Sequence, residues 1–312
     1  MKKTKPHFWD YKKPNVLSYF LLIFTIPIII NNFFLNRKKN KKFEKIKTIC
    51  IGNIYVGGTA KTPLTIKISQ ILNKLNITNA TIKKFYKNQV DEQNLLKKKT
   101  NLYCFKKRKD SLKKAIQNNF DVALFDDGLQ DRSINYDLNF VCFNTLSWIG
   151  NGMLIPAGPL REKIKSISKY DAIFLNGNGE NIVDIKIIIK NYNSTIKIFE
   201  TSYVVTNIAE FQLNDKYLVF SGIGNPNTFE NTLKKYNLNI VEHMKFPDHY
   251  LYSNKDINKI KSRANDLDCK ILTTEKDFVK LNSINSKEIQ FTKVDIEIKK
   301  ENELVEFIQS NL

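Results

Sequence analysis

Thr48-Ile-Cys-Ile-Gly-Asn-Ile-Tyr-Val-Gly-Gly-Thr-Ala-Lys-Thr-Pro63 joins a short apolar strand to small residues, then to a lysine–threonine pair and a helical pattern. A loop of that make-up can cradle a phosphate. Backbone N–H groups of Gly57, Gly58, Thr59 and Ala60 can converge on an anion where the helix begins. The Lys61 ammonium can reach the outer phosphates, and the Thr62 hydroxyl can ligate Mg²⁺. The match is partial, because the strict pattern G-x-x-x-x-G-K-[ST] would place glycine at Tyr55 and at Ala60. Taken alone, the same residues also describe a Gly57-Gly58 turn followed by a solvated lysine.

Working outward, Lys45–Ile51 reads as a buried strand, and Lys61–Leu75 sets Leu64, Ile68, Ile71, Leu72 and Leu75 at helical spacing. Strand patterns follow at Ala80–Tyr86, Asn101–Phe105, Phe120–Phe125, Leu138–Phe143, Asp171–Leu175 and Thr195–Glu200. Asp91–Leu96 opens a helical or loop segment, and Asp110–Asn118 is an amphipathic helix. Alternation of this kind predicts an α/β fold, a P-loop-type, mostly parallel sheet with helices on both faces. Beyond Tyr203–Phe211 the pattern restarts with strands at Tyr217–Gly222, near Ile240 and at Lys270–Thr273, and helices over Pro226–Tyr236 and Ser253–Asp266. This predicts a second, smaller α/β domain, with the strand-like Phe291–Ile298 returning toward the Tyr203–Phe211 linker. The expected division is an N-terminal membrane-anchor segment at 1–44, a P-loop domain at 45–205, and the smaller domain with its linker at 206–312.

The 312 residues include 50 Lys plus Arg against 31 Asp plus Glu, a formal net charge of +19. Lysine and asparagine are abundant throughout, so part of that excess is biased residue usage, and the remainder points to an anionic surface. Four cysteines (Cys50, Cys104, Cys142, Cys269) lack C-x-x-C spacing, and two lie inside apolar strand patterns, which favours buried thiols over a disulfide or zinc framework. Three histidines are too few for a multi-histidine metal site. No helix-turn-helix, zinc or aromatic–basic repeat signature supports a nucleic-acid partner.

Val16–Ile30 is uncharged and almost wholly apolar, and Asn residues interrupt it before the basic run Arg37-Lys-Lys-Asn-Lys-Lys42. Val16–Leu35 is borderline for the ~20 apolar residues that span a bilayer. A signal peptide lacks its small-residue cleavage site here. Phe8, Trp9 and Tyr11 precede the run and basic residues flank it, which suits a helix lying in, or dipping through, a membrane with an anionic cytoplasmic face.

Asp126-Asp127-Gly128, at the end of an apolar strand, supplies the second half of a nucleotide site, since a carboxylate there can hold Mg²⁺ beside the threonine of a phosphate loop. Alone it is more often a solvated turn. Three other clusters stand out. Phe246-Pro-Asp-His-Tyr250 puts Asp248 beside His249, a proton-handling pair, a substrate contact, or a capping carboxylate next to a packed imidazole. Thr273-Thr-Glu-Lys-Asp277 reads as a helix cap. Asn151–Glu162 is a Gly/Pro loop that delivers Arg161 to a phosphate or to an ion pair with Glu162.

Taken in order, these landmarks resemble the tetraacyldisaccharide 4'-kinase (lipid A 4'-kinase) family. They are Pro6-His-Phe-Trp9 with the apolar helix, Gly52–Pro63, Val90-Asp-Glu92, Asp126-Asp-Gly-Leu-Gln130, Gly150–Glu162, Gly222-Ile-Gly-Asn-Pro226, Phe246-Pro-Asp-His249 and Thr274-Glu-Lys-Asp277. The resemblance covers nearly the whole chain. It implies a kinase on the cytoplasmic face of the inner membrane, anchored peripherally or by one N-terminal helix, with ATP and Mg²⁺ as cofactors. The γ-phosphoryl group would pass to the 4' hydroxyl of a tetraacylated glucosamine disaccharide 1-phosphate, in an active site between two α/β domains. The partners implied are that lipid and an anionic membrane surface, with no nucleic acid and no obligate protein partner.

By the same resemblance Asp91 is the base that accepts the hydroxyl proton, with His249 supporting it. Lys61 neutralises the phosphates, Thr62 with Asp126 or Asp127 holds the metal, and Gln130 sits near it. Arg108 and Arg161 match family arginines expected near phosphates, and Asp248 is assigned to the substrate side. Three residues or segments depart from the family pattern. Ala60 replaces the last glycine of the loop, which a negative φ would accommodate. Lys83-Lys-Phe-Tyr-Lys87 replaces Ser-Arg-Gly-Tyr-Gly, and Asp131 stands where histidine is usual. On the residues alone, a P-loop enzyme for a soluble metabolite also accounts for Lys61 and Asp126, but it gives the apolar N-terminus no task.

Overall fold

The computed structural model describes residues 5–37, 43–87, 89–131, 133–177, 181–281 and 286–312. The N-terminal segment forms α1 (Val16–Phe20), a 3-10 turn over Leu21–Thr25 and α2 (Ile26–Arg37). There follow β1 (Lys47–Gly52), α3 (Lys61–Lys74), β2 (Asn79–Lys84), α4 (Val90–Lys99), β3 (Leu102–Phe105) and α5 (Arg108–Gln117). Next come β4 (Val122–Asp126), β5 (Leu138–Asn144), β6 (Ala172–Asn176), α6 (Ile182–Tyr192) and β7 (Lys197–Val205). The remainder comprises β8 (Lys216–Ser221), α7 (Pro226–Lys234), β9 (Asn239–Lys245), α8 (Asn254–Asp266) and β10 (Lys270–Thr274), then α9 (Glu275–Phe278), β11 (Ile289–Thr292), β12 (Val294–Ile298) and α10 (Glu301–Asn311).

The chain divides into two compact units. The larger holds 5–86, 96–202 and 298–312; the smaller holds 87–95 and 203–297. The described N-terminal residues from Lys5 onward join the larger unit rather than standing apart, and two further segments also change place. The 87–95 segment carrying Asp91 goes with the smaller unit, and the C-terminal helix α10 goes with the larger. The reason for the second is packing: Leu304 and Ile308 are fully buried, and the Phe307 ring lies 6.3 Å from Phe140 and 6.1 Å from Phe199.

The eight-stranded sheet has the strand order β12-β7-β6-β5-β1-β4-β2-β3, with the neighbours from β3 to β7 all parallel. Such strands are covered on both faces and read as continuous apolar runs, as Ile49-Cys-Ile51 and Ala123-Leu-Phe125 do, all without measurable exposure. Strand order reverses about β1. Loops after β1 and β4 therefore open on the crevice where α/β sheets bind ligands.

The smaller sheet runs β11-β10-β8-β9, also parallel. Tyr217 and Val219 of β8 pack with Phe229 and Leu233 of α7, whereas the alternating Leu218 and Phe220 pack with Ile257 and Ile260 of α8. That period of two, apolar on both faces, makes it a second doubly covered sheet. Phe291–Ile298 divides at Lys293. Its first half is β11 of this sheet, and its second half, β12, lies beside β7, with the Lys293 carbonyl accepting from Thr206 N–H at 2.9 Å.

Candidate active site

Two groups of functional side chains are assembled, one in each unit. In the larger unit, β1 hands over to the phosphate loop through Asn53, whose amide donates to Thr59 Oγ1 at 2.9 Å and to the Gly57 carbonyl at 3.4 Å. The chain then enters α3 at Ala60, whose φ is +66°. The negative φ that would accommodate the methyl is not adopted. Entry into the helix needs a left-handed residue, and alanine holds that place in the region where Cβ crowds the following carbonyl.

Asp126 and Asp127 leave β4 next to this loop because β1 and β4 pair in register, Ile51 beside Asp126. Thr62 Oγ1 donates to Asp126 Oδ2 at 3.0 Å. Asp127 Oδ1 lies 3.8 Å from Lys61 Nζ and 3.2 Å from Arg161 Nη1. Burial alone would raise the Asp127 pKa, yet Lys61, Arg161, Lys83 and Arg108 bring it down to about 2. Gln130 receives Arg161 Nη1 at 3.0 Å and donates to the Asn53 carbonyl at 3.0 Å. Arg108, at the start of α5, donates to the Asp127 carbonyl at 2.6 Å and to Asp131 at 3.3 Å.

Arg161 is positioned by its loop. Its N–H donates to the Ile54 carbonyl at 2.7 Å, and Val56 N–H donates to the Pro159 carbonyl at 2.9 Å, so the Gly/Pro segment lies against the phosphate loop. The N-terminal segment touches the same place. Trp9 Nε1 donates to the Pro156 carbonyl at 3.0 Å, Asn151 donates to Ser18 Oγ at 3.0 Å, and the Asn32 amide donates to the Arg161 carbonyl at 3.0 Å. The rest of that segment is largely exposed. Val16–Phe34 has a mean hydropathy of 2.0 with 11% of it buried, and its 19 residues are enough to cross a membrane by length and composition.

In the smaller unit, His249 Nδ1 lies 2.9 Å and 3.0 Å from the two carboxylate oxygens of Asp91. Lys276 Nζ is 3.3 Å and Lys280 Nζ 3.6 Å from Asp91 Oδ2. Burial pushes the Asp91 carboxyl up, but the His249 hydrogen bond and the two ammonium groups hold it well below the usual carboxylate range. Asp91 is therefore ionised, and Nδ1 of His249 carries the proton between them. Asp248 accepts from Lys276 at 3.3 Å and from the His249 N–H at 2.9 Å. Burial works against the Lys276 charge, yet Glu92, Asp248 and Asp91 raise its pKa above the ordinary lysine value.

Of the residues singled out in the sequence, the larger unit brings together Gly57–Thr62, Arg108, Asp126, Asp127, Gln130 and Arg161, and the smaller brings together Asp91, Asp248 and His249. Sequence reasoning missed Lys83, Lys276 and Lys280. The cap assigned to Thr274 is present, its side chain accepting from Asp277 N–H, and it hid the lysine that the same turn delivers. The spacing of Lys276 and Lys280, four apart on a helical turn, was the available signal.

A strand–loop–helix ending in Lys61-Thr62, with a carboxylate on the adjacent parallel strand bonded to the threonine, defines a P-loop phosphotransferase. A magnesium-bound triphosphate fits these residues on an observation of the site itself: Asp126 Oδ1 is buried and has no hydrogen-bond partner among the described residues. The family model for tetraacyldisaccharide-1-P 4'-kinase, LpxK, matches residues 16–312, and the chain belongs to that family. It is an ATP-dependent kinase. It is 50% identical over 306 residues to the tetraacyldisaccharide 4'-kinase of Pelagibacter ubique, covering 97% of this chain and 96% of that one. It is 32% identical to the Rickettsia typhi enzyme of the same name, over 92% of each. Among solved structures, LpxK of Aquifex aeolicus in complex with ATP shares the fold, with a TM-score of 0.69 over 95% of this chain and 99% of that one at 23% identity.

Proposed function

We propose that this kinase transfers the γ-phosphoryl group of ATP to the 4' hydroxyl of a tetraacylated glucosamine disaccharide 1-phosphate on the cytoplasmic face of the inner membrane. The observation that carries the reading is the single constellation of Lys61, Thr62, Asp126, Asp127 and Arg161 around the end of β1 and β4. Lys61 and Arg161 bind and orient the phosphates, and Thr62 with Asp126 holds the metal, which neutralises charge developing on the transferred group. Asp127 keeps the two cations aimed. Asp91 receives the acceptor proton late, as suits a carboxylate of low basicity in a loose transition state, and His249 orients it. A substrate with four acyl chains resides in the bilayer, and the exposed apolar Val16–Phe34 supports catalysis at that interface.

The test is purified protein with Mg·ATP and the acylated disaccharide 1-phosphate, read as 4'-phosphorylated product. Lys61→Ala is expected to lower turnover by at least about 100-fold, the scale of losing one charge-stabilising donor. Wild-type turnover in that variant would remove the phosphate cradle from the mechanism.

A further inference from the structure

Lys83 has appeared so far only among the cations that act on Asp127, yet it is among the most deeply placed charges in the larger unit. Strands β2 and β4 pair with Lys83 beside Asp126, and parallel neighbours in register point to the same face. Lys83 Nζ accordingly donates to Asp126 Oδ2 at 2.7 Å, with the lysine side chain 3% exposed and the carboxylate 0%. Thr62 Oγ1 donates to that same oxygen. The metal-binding carboxylate therefore has one oxygen shared between an ammonium and a hydroxyl, and the other, Oδ1, is buried with no hydrogen-bond partner among the described residues.

A buried carboxylate is costly unless a positive charge accompanies it. Here the chain supplies that charge itself. We propose that Lys83 is a resident counter-ion in the metal site: it compensates Asp126 when no nucleotide is bound, and its repulsion makes the site a poor one for free Mg²⁺. The metal then enters with the nucleotide, whose phosphates offset the combined charge of the metal, Lys61, Lys83 and Arg161. This inference rests on the kinase reading of Asp126 and Thr62, and it concerns the order in which the site is filled.

Binding of Mn²⁺ as a spin probe to the full chain tests it, measured by loss of the free-ion EPR signal without nucleotide, and with a non-hydrolysable ATP analogue relative to the same analogue without protein. Wild type is expected to take up Mn²⁺ weakly alone and tightly with the nucleotide. Lys83→Met is expected to bind Mn²⁺ alone at least tenfold more tightly, and added Mg²⁺ should raise its Tm by more than it raises that of wild type. Lys83→Gln, which keeps a donor for Asp126 and lowers the risk of misfolding, should move the same way, and Lys83→Arg should behave as wild type. Equal or weaker Mn²⁺ binding by the folded neutral variants would overturn the proposal and leave Lys83 a structural ion pair. Failure of wild type to bind Mn²⁺ even with nucleotide would instead overturn the metal assignment on which it rests.

Discussion

Asp127 shows how one residue can be held in a state its burial opposes. Its backbone φ is +59°, which turns the carboxylate back toward Lys61 and Arg161 at the end of β4. Those cations lower its pKa from the ordinary value to about 2. A carboxyl depressed on folding adds stability above its unfolded pKa and loses it as the pH falls toward the folded one. The contribution is about 2 kcal/mol at neutral pH. Urea titrations of wild type and Asp127→Asn should therefore differ by about that amount at pH 7, with the gap closing progressively below about pH 4. A gap that stays constant down to pH 3 would show that the ion pairs do not carry the effect. Residue-level chemistry of this kind was legible only in part. Asp126 and Asp127 announce themselves beside a phosphate loop, but which of the two faces Thr62 and which faces Arg161 depends on strand register. Lys83 was visible only as a departure from a family pattern, because a lysine inside a strand carries no sign that its neighbour 43 positions on is a buried carboxylate.

At the scale of elements, α3 and its loop were readable because glycine pair, lysine, threonine and helical periodicity agree with each other. The same holds for the alternating β8, whose two apolar faces predict helices on both sides. The 87–95 segment was harder to place, since Asp91 follows β2 in sequence but groups with residues far downstream, and local pattern holds no record of such a partner. The Ala60 conformation is a cost of α3 that the sequence flagged without giving its sign. An alanine in the left-handed region is strained by about 1 to 2 kcal/mol, and glycine at the same place returns part of that through its freer unfolded chain. Ala60→Gly should raise stability by about 1 kcal/mol, read as a shift in urea midpoint at unchanged slope. A destabilised Ala60→Gly would mean that the methyl, 6% exposed, contributes packing that outweighs the strain.

For the molecule as a whole, the +19 charge and the exposed apolar segment both suit the proposed partner, an anionic bilayer. Removing residues 1–37 should abolish most binding to vesicles containing anionic lipid, measured by flotation. It should also lower kcat on substrate dispersed in detergent, where no bilayer is required. That second loss follows from Trp9, Ser18 and Asn32, which brace the Gly150–Arg161 loop. Unaltered kcat in detergent would show that the loop holds its own shape.

The hydrogen bond from Asn32 to the backbone of Arg161 has a geometric consequence. The greasy segment is no loose leash, since it is pinned at Trp9, Ser18 and Asn32 to the shelf that bears the guanidinium. In the proposed membrane-bound state, lipid around this segment would set the standoff between that guanidinium and the headgroup plane, so the protein would gauge the height at which a sugar presents its hydroxyl.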